Sequence, residues 1–279
     1  MSTVPIAMRN SPPPITSSTI TVTPITPRIG AFVDLLNPAA PIDHSADDLI
    51  RALEEHLVLV LRNQTLDAAT IKRLGDRLGP MDADAKYGVP EHPEVRRFSS
   101  DTTSDHVLSE EWHSDSSWLP EPPIVSGLYL DTVPPMGGML AFASMYSAHD
   151  ALSTSMQTYL ADLSAMHDGR LSRYKPSIPD PTAIHPVIRA HPVTGRKALY
   201  VNSVFTDRIV GVSPQESRAI LDFLFDHIAN AYFQVRFEWE PGTLVLWDNR
   251  CTQHLSIWNC PPRACAGYRI QIEDRTGSL

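Results

Sequence analysis

The chain is poor in cysteine, and its three thiols, Cys251, Cys260 and Cys265, lie close together near the C-terminus. So small and odd a count excludes a disulfide framework and points to a reducing compartment, the cytoplasm. No C-x-x-C pair occurs, so a thiolate zinc site is not indicated. Long apolar runs are missing too, and with them any membrane-spanning helix. The N-terminus lacks the basic start, apolar stretch and small-residue cleavage site of a secretion signal. Positive charge is in deficit: 23 Lys and Arg stand against 32 Asp and Glu, a formal net charge of −9. Nucleic acid is therefore not an expected partner, because phosphate recognition needs clustered Lys and Arg. A local cationic pocket for a small anion remains compatible with this balance.

What is present suffices for a sizeable core. The chain has 279 residues, 42% of them hydrophobic, and neither a repeat nor an internal linker divides it. Residues 1–28 mix Pro, Ser and Thr around Pro12-Pro13-Pro14 and read as a flexible arm, whose last few residues can already join the fold. Residues 29–279 read as one domain. Ser45 is placed as the cap of a first helix, and Asp67 as the cap of a second that runs through Leu78 to Gly79-Pro80. Ser147 to Met166 reads as a third. Ser213-Pro214-Gln215-Glu216 combines Ser at the cap, Pro at the first helical position and Glu at the third. Strands are expected at Leu57–Leu61, Val125–Thr132, Leu140–Ala143, Ala198–Asn202, Phe233–Trp239, Thr243–Trp247 and Tyr268–Ile272. Many short strands with a few helices suggest a mostly β fold, a double-stranded β-helix (jelly roll) with N-terminal and inserted helices.

The first segment with chemistry in it is Trp112-His113-Ser114-Asp115. In extended backbone, residues i and i+2 point the same way, so His113 and Asp115 can aim an imidazole and a carboxylate at one point. Far downstream, His254 ends the run Trp247-Asp248-Asn249-Arg250-Cys251-Thr252-Gln253-His254. Two His and one carboxylate make the facial triad of non-haem Fe(II) oxygenases, with open positions for a 2-oxo acid and O2. An H-x-D pair alone is weak, since 11 His and 32 acidic residues produce such pairs by chance.

Longer words strengthen it. Gly137-Gly138 precedes Phe142-Ala143-Ser144-Met145-Tyr146, and His185-Pro186-Val187 precedes His191-Pro192 and Gly195-Arg196-Lys197. Leu199-Tyr200-Val201-Asn202, Phe205-Thr206-Asp207-Arg208-Ile209 and Trp247-Asp248-Asn249-Arg250 follow in order. With these the chain resembles the taurine dioxygenase and 2,4-dichlorophenoxyacetate dioxygenase family from about Ile29 to Arg269. The resemblance implies a jelly roll, Fe(II) held by His113, Asp115 and His254, 2-oxoglutarate as cosubstrate, and hydroxylation of a small, anionic organic substrate. It also implies a homo-oligomer, a dimer or tetramer.

Two positions depart from the family pattern. Where the family has a Thr and an Arg to bind the distal carboxylate of 2-oxoglutarate, this chain has Leu140 and Cys265. Neither supplies the hydrogen bonds or the cation that a buried carboxylate needs. Arg263 or Arg269 is a candidate substitute; otherwise the cosubstrate is a less polar 2-oxo acid, or none. Candidate substrate residues are Lys86, Tyr87, Ser109 and Phe205, although Lys86 also reads as a solvated surface lysine and Phe205 as a core residue. Arg170, Arg173 and Lys175 lie in a Pro-rich stretch that reads as a lid or as surface loop. Asp248 and Asn249 are expected to orient the loop carrying His254. The alternatives are an Fe(II) oxygenase that oxidises its substrate without 2-oxoglutarate, and a non-catalytic binding protein on the same fold.

Overall fold

The computed structural model describes residues 19–37, 39–84, 86–100, 110–135, 139–172, 176, 178–257 and 265–274. The first half contains β1 (Ile20–Pro24), β2 (Ala31–Leu35), α1 (Ala46–His56), β3 (Val58–Leu61), α2 (Ala68–Leu78), β4 (Gly88–Val89), β5 (His92–Ser100), β6 (Val125–Thr132) and β7 (Met139–Ser144). Next come α3 (Met145–Asp150), α4 (Thr154–Ala161), β8 (Ser164–Asp168), β9 (Thr182–Pro186), β10 (Ile188–Ala190), β11 (Lys197–Leu199) and β12 (Thr206–Ile209). The chain finishes with α5 (Pro214–Ile228), β13 (Gln234–Arg236), β14 (Thr243–Asp248), β15 (Thr252–Ile257) and β16 (Cys265–Ile272). The fold is strand-rich with a few helices.

Eight strands form the large sheet in the order β1-β2-β3-β14-β6-β16-β5-β4, and β13-β7-β15 form a smaller one. Side-chain alternation sorts the large sheet's residues between two apolar clusters. Val58, Val60, Leu128, Leu130, Val245 and Trp247 meet Phe142 and Val235 of the small sheet. Leu59, Leu61, Leu244, Leu246, Ile270 and Ile272 instead meet Leu49 and Leu53 of α1 and Ile71 and Leu74 of α2. Both faces of the central strands are thus covered, which explains the unbroken apolar run of β3.

Within the segment 1–28, Ile20–Pro24 joins the fold: Ile20 and Val22 are buried, and β1 pairs antiparallel with β2. Several expectations need correction. Ser45 makes no side-chain capping bond, because it closes a 3-10 turn over Ile42–Ser45 before α1 begins. The span Ser147 to Met166 is not one helix. Ser144 and Ser153 each accept a backbone N–H and start separate short helices, and Ser164–Asp168 then turns Ala165 and His167 inward as a strand. The expected strand at Phe233–Trp239 is a 3-10 turn followed by only Gln234–Arg236. The caps at Asp67 and Ser213 form, the latter with both bonds of a capping box.

One glycine matters for the site. β16 bulges against β6 between Ala266 and Gly267. A Cβ on Gly267 would stand 1.8 Å from the Tyr129 carbonyl oxygen, a backbone atom that cannot rotate away. Gly267 therefore sets how β16 delivers Arg269 two residues later. Gly267→Ala should lower unfolding free energy by about 3 kcal/mol in chemical denaturation. Unchanged stability would mean that the bulge is not needed.

Candidate metal centre

His113 lies in no strand. It forms an isolated antiparallel bridge with His254 of β15, through His113 N–H to His254 O (3.1 Å) and His254 N–H to His113 O (2.9 Å). This bridge closes the long sequence gap and brings the two rings to 4.2 Å between centroids. Ser114 points away and donates to the Thr252 carbonyl, so Asp115 returns to the side of His113. The ligating atoms of His113, Asp115 and His254 all lie within 4.8 Å of one another, and all three residues are buried. Asp115 Oδ1 faces both imidazoles, 3.9 Å from His113 Nε2 and 3.8 Å from His254 Nε2.

The chemistry of this set fits a divalent ion. The Glu111 carbonyl lies 2.9 Å from His113 Nδ1 and fixes the proton there, leaving the Nε2 lone pair free. His254 Nδ1 is buried without a hydrogen-bond partner. Burial lowers the pKa of both imidazoles, and the neutral form is the one that ligates. Burial alone would push the Asp115 carboxyl up. The Arg269 guanidinium and the two imidazoles override it, aided by the Ser126 hydroxyl, and hold the group well below the usual carboxylate range. Arg269 Nη2 lies 2.6 Å from Asp115 Oδ1, and Ser126 donates to Oδ2 at 2.7 Å.

A hydrogen-bonded frame holds these three residues. The Asn249 carboxamide accepts from Asp115 N–H (2.8 Å) and donates to the carbonyls of Asp115 and Pro123 (both 2.9 Å). Asp248 is held at about 2 against its burial by hydrogen bonds from His191 and Arg250. His191 Nε2 is 3.0 Å from its Oδ2, and Arg250 grips both oxygens. The Asp248 carbonyl also takes the Thr252 hydroxyl (2.7 Å), which ties the turn to the start of β15. His191, Asp248 and Cys251 also come close enough to hold a metal. Asp248 is already saturated, however, and burial raises the Cys251 pKa, so this cluster reads as structural. Trp247 and Phe142 wall the His254 ring at 5.0 and 5.8 Å between centroids.

The remaining candidates separate. Phe205 is buried with its ring edge-on to His113 at 6.1 Å. Arg269 reaches Asp115. Leu140 and Cys265 pack in the cluster between the two sheets, and burial pushes the Cys265 thiol up to about 11. Leu140 has Ser256 of β15 as its cross-strand partner. Lys86 is exposed near the edge strand β4, its ammonium over the ring of Tyr87, and no described contact joins either to the triad. Arg170 forms an ion pair with Asp168. Ser109, Arg263, Arg173, Lys175 and the Gly137-Gly138 pair lie outside the described residues. Sequence reasoning missed the Arg269–Asp115 pair, the Ser126 hydroxyl and the His191–Asp248 bond. A signal existed for Ser126, the one serine in the buried run Val125–Leu130.

Comparison with known proteins agrees with this geometry. The sequence model described as taurine catabolism dioxygenase TauD, TfdA family matches residues 21–262. An alpha-ketoglutarate-dependent sulfonate dioxygenase of Saccharomyces cerevisiae is 30% identical over 264 residues, covering 85% of this chain and 63% of that protein. The chain therefore spans less than two thirds of the yeast protein's length. The alpha-ketoglutarate-dependent 2,4-dichlorophenoxyacetate dioxygenase of Cupriavidus pinatubonensis is 28% identical, covering 74% of this chain and 81% of that protein. The crystal structure of a taurine dioxygenase from Burkholderia xenovorans superposes with a TM-score of 0.80 at 30% identity, covering 91% of this chain and 89% of that one. The chain belongs to the TauD/TfdA dioxygenase family.

Proposed function

We propose that this protein is an Fe(II)- and 2-oxo-acid-dependent dioxygenase that hydroxylates a small anionic organic molecule. The observation that carries the reading is the buried convergence of His113, Asp115 and His254. When bound, Fe(II) supplies activation of O2 coupled to oxidative decarboxylation of the 2-oxo acid. His113 and His254 offer neutral nitrogens, and Asp115 offers the single negative charge. Trp247 and Phe142 keep water from the imidazole of His254, while Phe205 offers an apolar wall beside His113. Sulfonate and phenoxy acids are substrates named for relatives, and a net anionic substrate is the corresponding proposal here.

The cosubstrate end is assigned to the region of Leu140, Cys265 and Arg269, with Arg263 as a further candidate cation. A jelly roll built from the facing large and small sheets, with helices before and between strands, is the fold this reading uses. Residues 29–279 are proposed as its single domain, joined by β1, and a dimer or tetramer is proposed from the family resemblance. A cytoplasmic location agrees with the free thiols of Cys251 and Cys265. Among the described residues, no helix is long and apolar enough to cross a membrane.

Anaerobic Fe(II)-loaded protein titrated with 2-oxoglutarate should develop a saturable visible charge-transfer band. Pyruvate and an aliphatic 2-oxo acid run in parallel. A stronger band with the aliphatic acid would give the cosubstrate end to Leu140 and Cys265 as an apolar subsite. No band with any of the three would sink the 2-oxo-acid reading.

A further inference from the structure

Asp115 offers its two oxygens unequally. Oδ2 is taken by the Ser126 hydroxyl at 2.7 Å. Oδ1, the oxygen facing both imidazoles, carries the Arg269 guanidinium at 2.6 Å. The oxygen best placed for a metal therefore already has a cation on it. Asp115 is buried, so water screens this contact weakly. Arg269 is not locked in place: its side chain is 27% exposed, and its Nε is buried without a hydrogen-bond partner. The planar group stands 5.9 Å from the Trp247 ring, which leaves it an aromatic face along which to move. A divalent ion on the triad and a guanidinium on the same carboxylate oxygen repel each other in a site that screens poorly.

We propose that Arg269 is the internal counter-cation of the triad, competing with the divalent ion for Asp115 and giving way when the ion binds. The proposal rests on the metal-centre reading above. Arg269 is then a positioning residue that tunes metal affinity, and metal entry frees its guanidinium. By linkage, anything that draws Arg269 from Asp115 tightens metal binding, and metal binding favours that displacement by the same factor.

The test is Mn(II) alone, titrated into metal-free full-length protein at pH 8, where a carboxyl proton does not compete. Arg269→Met should bind Mn(II) at least tenfold more tightly than the wild type, while Arg269→Lys, which keeps the charge, should stay within about threefold. A purely structural arginine predicts the opposite, weaker Mn(II) binding in both variants, and that result or equal affinities would overturn the proposal. A second readout uses the unmodified chain and does not depend on a variant folding. Mn(II) should raise the rate at which phenylglyoxal modifies Arg269, followed by mass spectrometry, several-fold. An unchanged or lower rate would overturn the proposal. If the wild type and both variants fail to bind Mn(II), the metal-centre reading falls and this proposal with it. Equal binding by all three removes only the role of Arg269.

Discussion

Asp115→Ala should abolish stoichiometric Fe(II) or Mn(II) binding, weakening it by about a thousandfold or more. Asp115 is the only anion among the three ligands, and Arg269 supplies a positive charge at the same oxygen. Without the carboxylate, the site presents two neutral imidazoles beside an uncompensated guanidinium, which repels a divalent ion. Asp115→Asn keeps an oxygen donor but no charge and should lose most of the affinity as well. The metal-free protein should also suffer, because the substitution leaves the buried Ser126 hydroxyl without its acceptor and Arg269 without its partner. Breaking a buried pair on one side costs about 3–5 kcal/mol, and the partial exposure of Arg269 places this case at or below the low end of that range. Adding Arg269→Met should recover much of the stability, since both charges then leave together, but of the metal binding only the part lost to the guanidinium's repulsion, leaving the site far weaker than the wild type. Calorimetric titration and thermal melts of the three variants check this. Metal affinity near wild type in Asp115→Ala would place the ion elsewhere.

The convergence of His113, Asp115 and His254 was legible because chain chemistry and chain geometry coincide. H-x-D needs only local extended backbone to converge, although His113 achieves it through one bridge to His254 and not through a strand of its own. Helix caps are local too, which is why those at Asp67 and Ser213 were readable. The stretch Ser147–Met166 was misread because its apolar spacing resembles a helix, while serine hydroxyls at Ser144 and Ser153 restart the backbone bonding twice. Long-range pairs left no local trace. That Arg269 reaches Asp115 depends on the register of β16 against β6 and on the bulge at Gly267. That His191 holds Asp248 depends on where the turn after β10 meets β14. The departures at Leu140 and Cys265 were visible as residue types, and their consequence is now physical. Both join the apolar cluster between the sheets, with Ser256 of β15 across from Leu140.

Acid should unfold this protein from a higher pH than its carboxylates alone would dictate. His167 and His185 are buried with rings 5.3 Å apart, and burial lowers them to about 3 and about 4. Burial favours the neutral form of both, and the Arg189 guanidinium adds to it, outweighing the Leu119 carbonyl that lies 3.0 Å from His185 Nε2. In the unfolded chain both titrate near 6.5, so below that pH the unfolded state binds protons that the folded state refuses. Their contribution is complete above about pH 6.5, falls as pH drops, and levels off only below the folded values. Each histidine removes about 1.4 kcal/mol per pH unit in that window, so the pair should cost about 3–4 kcal/mol by pH 5. Depressed carboxylates act in the same direction but lower: the stability that Asp248 gains from its pKa of about 2 is lost only as pH falls below the unfolded value near 3.8. A urea series should therefore show stability declining between pH 6.5 and 5, before the carboxylates titrate. His185→Gln keeps a donor for the Leu119 carbonyl and cannot take up a proton, so it should remove that histidine's share of a slope to which the buried His56, His113 and His254 also contribute. A flat profile down to pH 4.5 in the wild type would mean that the two rings gain access to water.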